Sequence, residues 1–256
     1  MEAALRESRD GLRDVHAQPS DIRGQIRSTS PLKLFVGNPP VSDEARQGPS
    51  TRLGALNLTR CFDILVATLA ILVFLPLLIL AAIAIKASAP GPVLFVQPRV
   101  GRNGKLFPCF KFRSMVVNSS DVLRALLESS PGARSEWERD QKLRADPRIT
   151  PVGALLRKSS LDELPQLFNI LAGHMSVVGP RPIVEAEIRR YGRRFDAYCS
   201  VRPGLTGLWQ VSGRNEVSYD ARVRLDALYA LRKSTLYDVS ICLRTIPAVL
   251  AARGVY

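Results

Sequence analysis

Apolar residues are spread unevenly along this chain. From Met1 to position 59, charged residues of both signs mix with Ser, Pro and Gly without a sustained apolar period. That composition predicts a disordered or loosely ordered tail, 1–59. No apolar run follows Met1 closely enough to make a secretory leader. The pattern then reverses: from Ile64 to Ile85 lie 22 residues, ILVATLAILVFLPLLILAAIAI, whose apolar character only Thr68 and Pro76 interrupt. As a helix the run reaches about 33 Å, the thickness of a bilayer's hydrocarbon core. A helix apolar on every face over this length suits lipid better than a protein core, so a membrane helix is expected over 60–88.

Beyond it, Pro92 to Met115 alternates as two short extended runs around Arg102-Asn103-Gly104, a hairpin signal. Residues 118–144 have helical spacing with a sparse stripe of Leu123, Leu126, Leu127 and Trp137, the pattern of a solvated surface pair. Helical spacing returns at Ile183–Arg194 and Ser218–Lys233. The final apolar stretch from Leu236 fits either the core or a membrane interface.

Charge changes the picture. The formal net charge of +13 predicts an anionic partner. No acid occurs between Asp63 and Asp121, whereas Lys86, Arg99, Arg102, Lys105, Lys111 and Arg113 follow the apolar run, so its C-terminal side belongs in the cytoplasm. Arg52 and Arg60 flank the N-terminal side too, and Pro76 removes a helical hydrogen bond near the middle. A bent helix that enters and leaves on one face satisfies both observations; a kinked spanning helix is the alternative. Four scattered cysteines without a CxxC pair suggest neither a zinc site nor a disulfide framework. With only His16 and His174, a histidine metal centre or a Ser/His/Asp triad lacks material. Chemistry must rest on carboxylates and cations.

One stretch, Ser160-Leu161-Asp162-Glu163, fits a capping box, and by pattern alone capping outranks catalysis. Pro165, however, lies awkwardly deep for a helix capped at Ser160. The neighbourhood adds Arg157, then Arg181 between two prolines in GPRP, then Lys111 and Arg113 two residues apart in KFRSM. A carboxylate pair among rigidly held cations is what phosphoryl transfer requires: a nucleophile, a ligand for a divalent ion, and arginines to offset charge. A nucleic-acid role is disfavoured, because no aromatic stacking platform accompanies the cations and the carboxylates repel a phosphate backbone.

KFRSM, RKSSLDELPQLFNIL, MSVVGPRP, RPGLTGLWQVSGRN and the proline-bearing apolar run after RCFD together resemble the bacterial sugar transferases, the monotopic phosphoglycosyl transferases. The likeness covers roughly residues 58–256 and is nearest to undecaprenyl-phosphate galactose phosphotransferases of exopolysaccharide synthesis. It implies an α+β fold: a re-entrant helix kinked at Pro76 (60–88), amphipathic interfacial helices, and a compact cytoplasmic catalytic domain (89–256) at the inner membrane. It implies transfer of a hexose 1-phosphate, galactose first and glucose next, from a UDP-sugar to undecaprenyl phosphate. Asp162 would be the nucleophile, Glu163 would help hold Mg²⁺, and Arg181 would grip phosphate, with Lys111, Arg113 and Arg157 as further phosphate contacts. Leu75 stands where the family has serine, His174 where it commonly has an acid, and Ser114 replaces the usual threonine. On His174 and the tail rests the competing expectation, a membrane-attached binding or regulatory paralogue.

Overall fold

The computed structural model describes residues 49–140, 143–213 and 217–250. Helix α1, Pro49–Ser88, continues through Pro76. Its start means that 49–59, placed with the tail by composition, are helical; the rest of the expected tail lies outside the described residues. A hairpin follows, β1 (Leu94–Val100) antiparallel to β2 (Leu106–Phe112), with Phe95 opposite Lys111, Gln97 opposite Cys109 and Arg99 opposite Phe107. Its turn puts Asn103 and Gly104 at positive φ, the conformation their side chains tolerate best and the reason the sequence signal reads true.

The expected surface pair appears as α2 (Ser119–Ser129) and α3 (Pro131–Asp140). Next come α4 (Pro151–Lys158), α5 (Gln166–Leu171) and β3 (Ser176–Val178). The stretch 183–194 departs from its helical expectation. Ile183 pairs with Val100 as a β-bridge, and only Ile188–Tyr191 (α6) is α-helical, ended by Gly192 at positive φ. After α7 (Phe195–Cys199), β4 (Gly204–Thr206) runs parallel to β3. The short α8 (Leu208–Val211), then α9 (Tyr219–Arg232) and α10 (Thr235–Leu250), complete the fold. α10 packs on the core through Ile241, while Leu236, Leu243 and Ile246 stay exposed.

How α1 meets the rest of the molecule bears most on function. Its first half sends Ala67 into a cluster with Leu167, Ile170, Met175, Val178 and Ile241. Its second half sends Leu78, Ala81 and Ile85 into another with Phe112 and Leu156. Polar contacts fix both halves. Asp63, 1% exposed, accepts from the Ser176 hydroxyl and the Val177 N–H, both at 2.8 Å. Arg60 donates to the Ile170 and Leu171 carbonyls at the end of α5. At the other end, Arg113 donates to the Ala89 and Pro90 carbonyls at 2.7 Å, just past the C-terminus of α1, and reaches the Ile85 carbonyl in its last turn, where the dipole favours a cation. Between these anchors, Leu72 to Leu77 form an uninterrupted exposed run centred near Pro76. All four cysteines, Cys61, Cys109, Cys199 and Cys242, are free.

Candidate active site

Beside the hairpin lies an open cleft of about 550 Å³, lined by β1, β2, the end of α4, the turn after it and the loop following β3. Along β1 its wall changes from Leu94 and Phe95 to Gln97 and Arg99. Lys111, Arg113, Arg157, Asp162, Glu163 and Arg181 all line it, so all six expected site residues converge.

The acid pair stands on a tight turn. α4 ends at Lys158, and Ser160 then adopts φ 58°, a left-handed conformation that disfavours any side chain with a Cβ. Leu161–Glu163 form a single 3₁₀ turn, and Pro165 directly precedes α5. This overturns the capping-box expectation. The Ser160 side chain makes no capping bond; its N–H donates to the Arg157 carbonyl at the end of α4, and its carbonyl accepts from the Glu163 N–H to open the 3₁₀ turn. Pro165 is comfortable: at a helix start its missing N–H costs nothing. Ser160 at positive φ, two residues before the dyad, starts the turn that carries Asp162 and Glu163 into the cleft wall.

Electrostatics separate the two acids. Burial first, then repulsion from Glu163, raises the Asp162 pKa to about 6, against the pull of Lys111 and Arg157. Burial also opposes ionisation of Glu163, but Lys111, whose ammonium donates to Oε1 at 2.6 Å, and Arg181 outweigh it and hold that pKa below the ordinary value. One neighbour therefore stays firmly anionic while the other titrates close to neutrality.

The cations divide as well. Arg157 donates through Nε to the Ser114 hydroxyl at 2.8 Å. Arg181 has no hydrogen-bonded or ion-paired partner among the described residues. Its loop is fastened on both sides: the Gly179 N–H donates to Thr206, the Gly204 N–H to Pro180, and Arg99 to Pro182. Gly179 must be glycine here, since a Cβ would collide with the backbone of Arg202 and Gly204. Arg113, by contrast, lines the cleft but spends its guanidinium on the carbonyls that end α1. The two-residue spacing that grouped it with Lys111 said nothing of those carbonyls, since they come from another part of the chain.

Sequence reasoning assigned no site role to Gln97, Arg99, Trp209 or Gln210, all in the cleft wall. Arg99 appeared only as a topology charge, and Trp209-Gln210 only inside a longer motif. The available signal was the parity of the hairpin, which puts Gln97, Arg99 and Lys111 on one face. His174 lies on the exposed surface, stacked on Phe107, and does not line the cleft.

Comparison with known proteins bears on these features. The family description "Bacterial sugar transferase" matches residues 55–252. The chain is 51% identical over 199 residues to an undecaprenyl-phosphate galactose phosphotransferase of Salmonella typhimurium, covering 78% of this chain and 42% of that one. It is 50% identical over 197 residues to the exopolysaccharide production protein ExoY of Rhizobium meliloti, covering 77% of this chain and 87% of that one. It is 39% identical over 206 residues to a UDP-glucose:undecaprenyl-phosphate glucose-1-phosphate transferase of Escherichia coli, covering 77% and 41%. The chain thus spans less than half the length of several relatives it matches, and most of ExoY.

Proposed function

Because the chain belongs to the bacterial sugar transferases, we propose that it transfers a hexose 1-phosphate from a UDP-sugar to undecaprenyl phosphate and releases UMP, opening an exopolysaccharide repeat unit. The observation that carries this reading is the Asp162-Glu163 turn, facing a partnerless Arg181 across a cleft whose cations outnumber its acids. Galactose is the preferred sugar: two relatives, at 51% and 49% identity, carry galactose in their names, whereas the two named for glucose stand at 39%.

Asp162 is ionised at neutral pH yet poorly solvated, a state suited to nucleophilic attack. Its carboxylate oxygen bonds to the sugar-proximal phosphorus as the bond to UMP breaks. The phosphate of the lipid acceptor then attacks the same phosphorus, the Asp162–phosphorus linkage breaks, and the carboxylate is restored. Arg181, Arg157 and Lys111 offset the repulsion between anions in both steps, while Arg113 holds the end of α1 in place. Mg²⁺ suits this donor set. Among the described residues no three acids, histidines or cysteines gather, and a magnesium ion ordinarily uses one or two carboxylates together with substrate phosphates. Glu163 would hold it, and when bound it would neutralise charge on the diphosphate.

The anchors of α1 support a re-entrant membrane geometry. Asp63 and Ile85 are anchored on one and the same domain, while the run around Pro76 between them is exposed and apolar. A helix crossing the bilayer would carry these anchors to opposite faces. A re-entrant helix with its apex at Pro76 keeps both on the cytoplasmic side and sets Leu94 and Phe95, the apolar end of the cleft, toward the lipid. Tags at the two termini should both be accessible from the cytoplasm; periplasmic labelling of the N-terminal tag would refute this topology without touching the chemistry. The activity itself is tested with membranes, undecaprenyl phosphate, Mg²⁺ and a panel of UDP-sugars. UMP release with UDP-galactose is expected, and none with any sugar would refute the assignment.

A further inference from the structure

Buried polar atoms without partners are rare in folded proteins, and each invites an explanation. Among the described residues six side-chain atoms are in this state, and three belong to the cleft wall at its Arg181 end: Arg99 Nε, Trp209 Nε1 and Gln210 Oε1. They include one acceptor and two N–H donors. The Gln210 amide is oriented by its own Nε2, which donates to the Leu205 carbonyl, so the unpaired atom is the oxygen. The Trp209 indole is held from behind by the Arg222 guanidinium, 4.1 Å from the ring centre. The Arg99 fork is fixed by Pro182 and Gln97, leaving Nε.

We infer that Arg99, Trp209 and Gln210 form a subsite that reads the uracil base of the donor nucleotide, an inference that rests on the nucleotide-sugar reading above. The pairing edge of uracil presents one N–H flanked by two carbonyls, and an acceptor accompanied by two donors is its complement. Cytosine offers an amino group and a bare ring nitrogen there, which would leave the Gln210 oxygen facing an acceptor. The placement is coherent, since Arg181, which the reading above sets against the phosphates, lines the same cleft as all three residues. All three atoms are enclosed in the free protein, so base binding has to displace Gln210 and open this stretch of wall, which alters the surroundings of the adjacent indole.

Trp209 reports on this directly. In the full chain carrying Trp137→Phe, its fluorescence is titrated with UMP and with CMP. UMP is expected to bind at least about tenfold more tightly than CMP, because a site built to hydrogen-bond one edge rejects the mismatched one. Gln210→Leu should bring the two within about twofold, and Gln210→Glu, which keeps an acceptor, should retain the preference. If Gln210→Leu loses its melting transition, Gln210→Met, of matching length, makes the same comparison. A UMP preference carried unchanged into the leucine or methionine variant overturns the subsite alone. Failure of the parent protein to bind UMP at all overturns the donor reading itself.

Discussion

Two charged regions of this molecule, the seat of α1 and the rim of the cleft, use the same residue types to opposite ends. At the seat the charges are spent. Asp63 takes two hydrogen bonds, Arg60 closes α5, and Arg113 closes α1. At the rim part of the charge is held in reserve: Arg181 has no hydrogen-bonded or ion-paired partner among the described residues, and Asp162 is raised to about 6. Satisfied charge builds the fold, whereas unsatisfied charge at a fixed position awaits a ligand and is maintained at the expense of stability.

The sharpest way to break this contrast is Asp162→Asn. Loss of the nucleophile should lower UMP release about 10⁴-fold or more, while the melting temperature at pH 7.5 should rise. The sign follows from linkage. The folded-state pKa lies above the unfolded one, so the ionised carboxylate costs stability once pH exceeds the unfolded value, fully above about 6. Replacing it should recover on the order of 1–3 kcal/mol at neutral pH, a gain that fades toward pH 4. A structural role for the acid predicts the reverse in calorimetry.

Next in size are paired arginine substitutions. Arg181→Ala should reduce kcat/KM about 10²–10³-fold, the usual cost of losing one electrostatic contact to a transition state, with little change in melting. Arg113→Ala should do the opposite, costing about 1–3 kcal/mol by removing a buried guanidinium and the hydrogen bonds that it gives to the Ala89 and Pro90 carbonyls, with turnover per folded molecule nearly kept. If the two variants exchange phenotypes in parallel assays of melting and UMP release, the division between seat and rim is wrong. The smallest effect is in the pH profile of the intact protein. Turnover should fall about tenfold per unit below pH 6 as Asp162 protonates, and a flat profile down to pH 5 would exclude it as the attacking group.

Much of this was legible in the sequence where the cause is local. The apolar run announced α1, Asn103-Gly104 announced the hairpin, and the periodicity from Ser218 announced α9. The acids stood out because Arg157, Arg181, Lys111 and Arg113 accompany them in the sequence. What escaped depends on partners distant in the chain. No spacing tells that Arg113 will meet the carbonyls of Ala89 and Pro90 or that Ile183 will pair with Val100. Ser160 misled because a serine before two acids fits a capping box, yet the same residue can close the preceding helix at positive φ.

The double anchorage of α1 reaches beyond topology. Ala67, Leu78, Ala81 and Ile85 are bricks in the two interior clusters on which the catalytic turn and hairpin rest. On the proposed topology, the helix that enters the bilayer also completes the protein's interior. Cutting the helix away would not free a soluble catalyst but open its floor, and a soluble version would have to replace the buried side of α1, redesigning only the side that faces lipid.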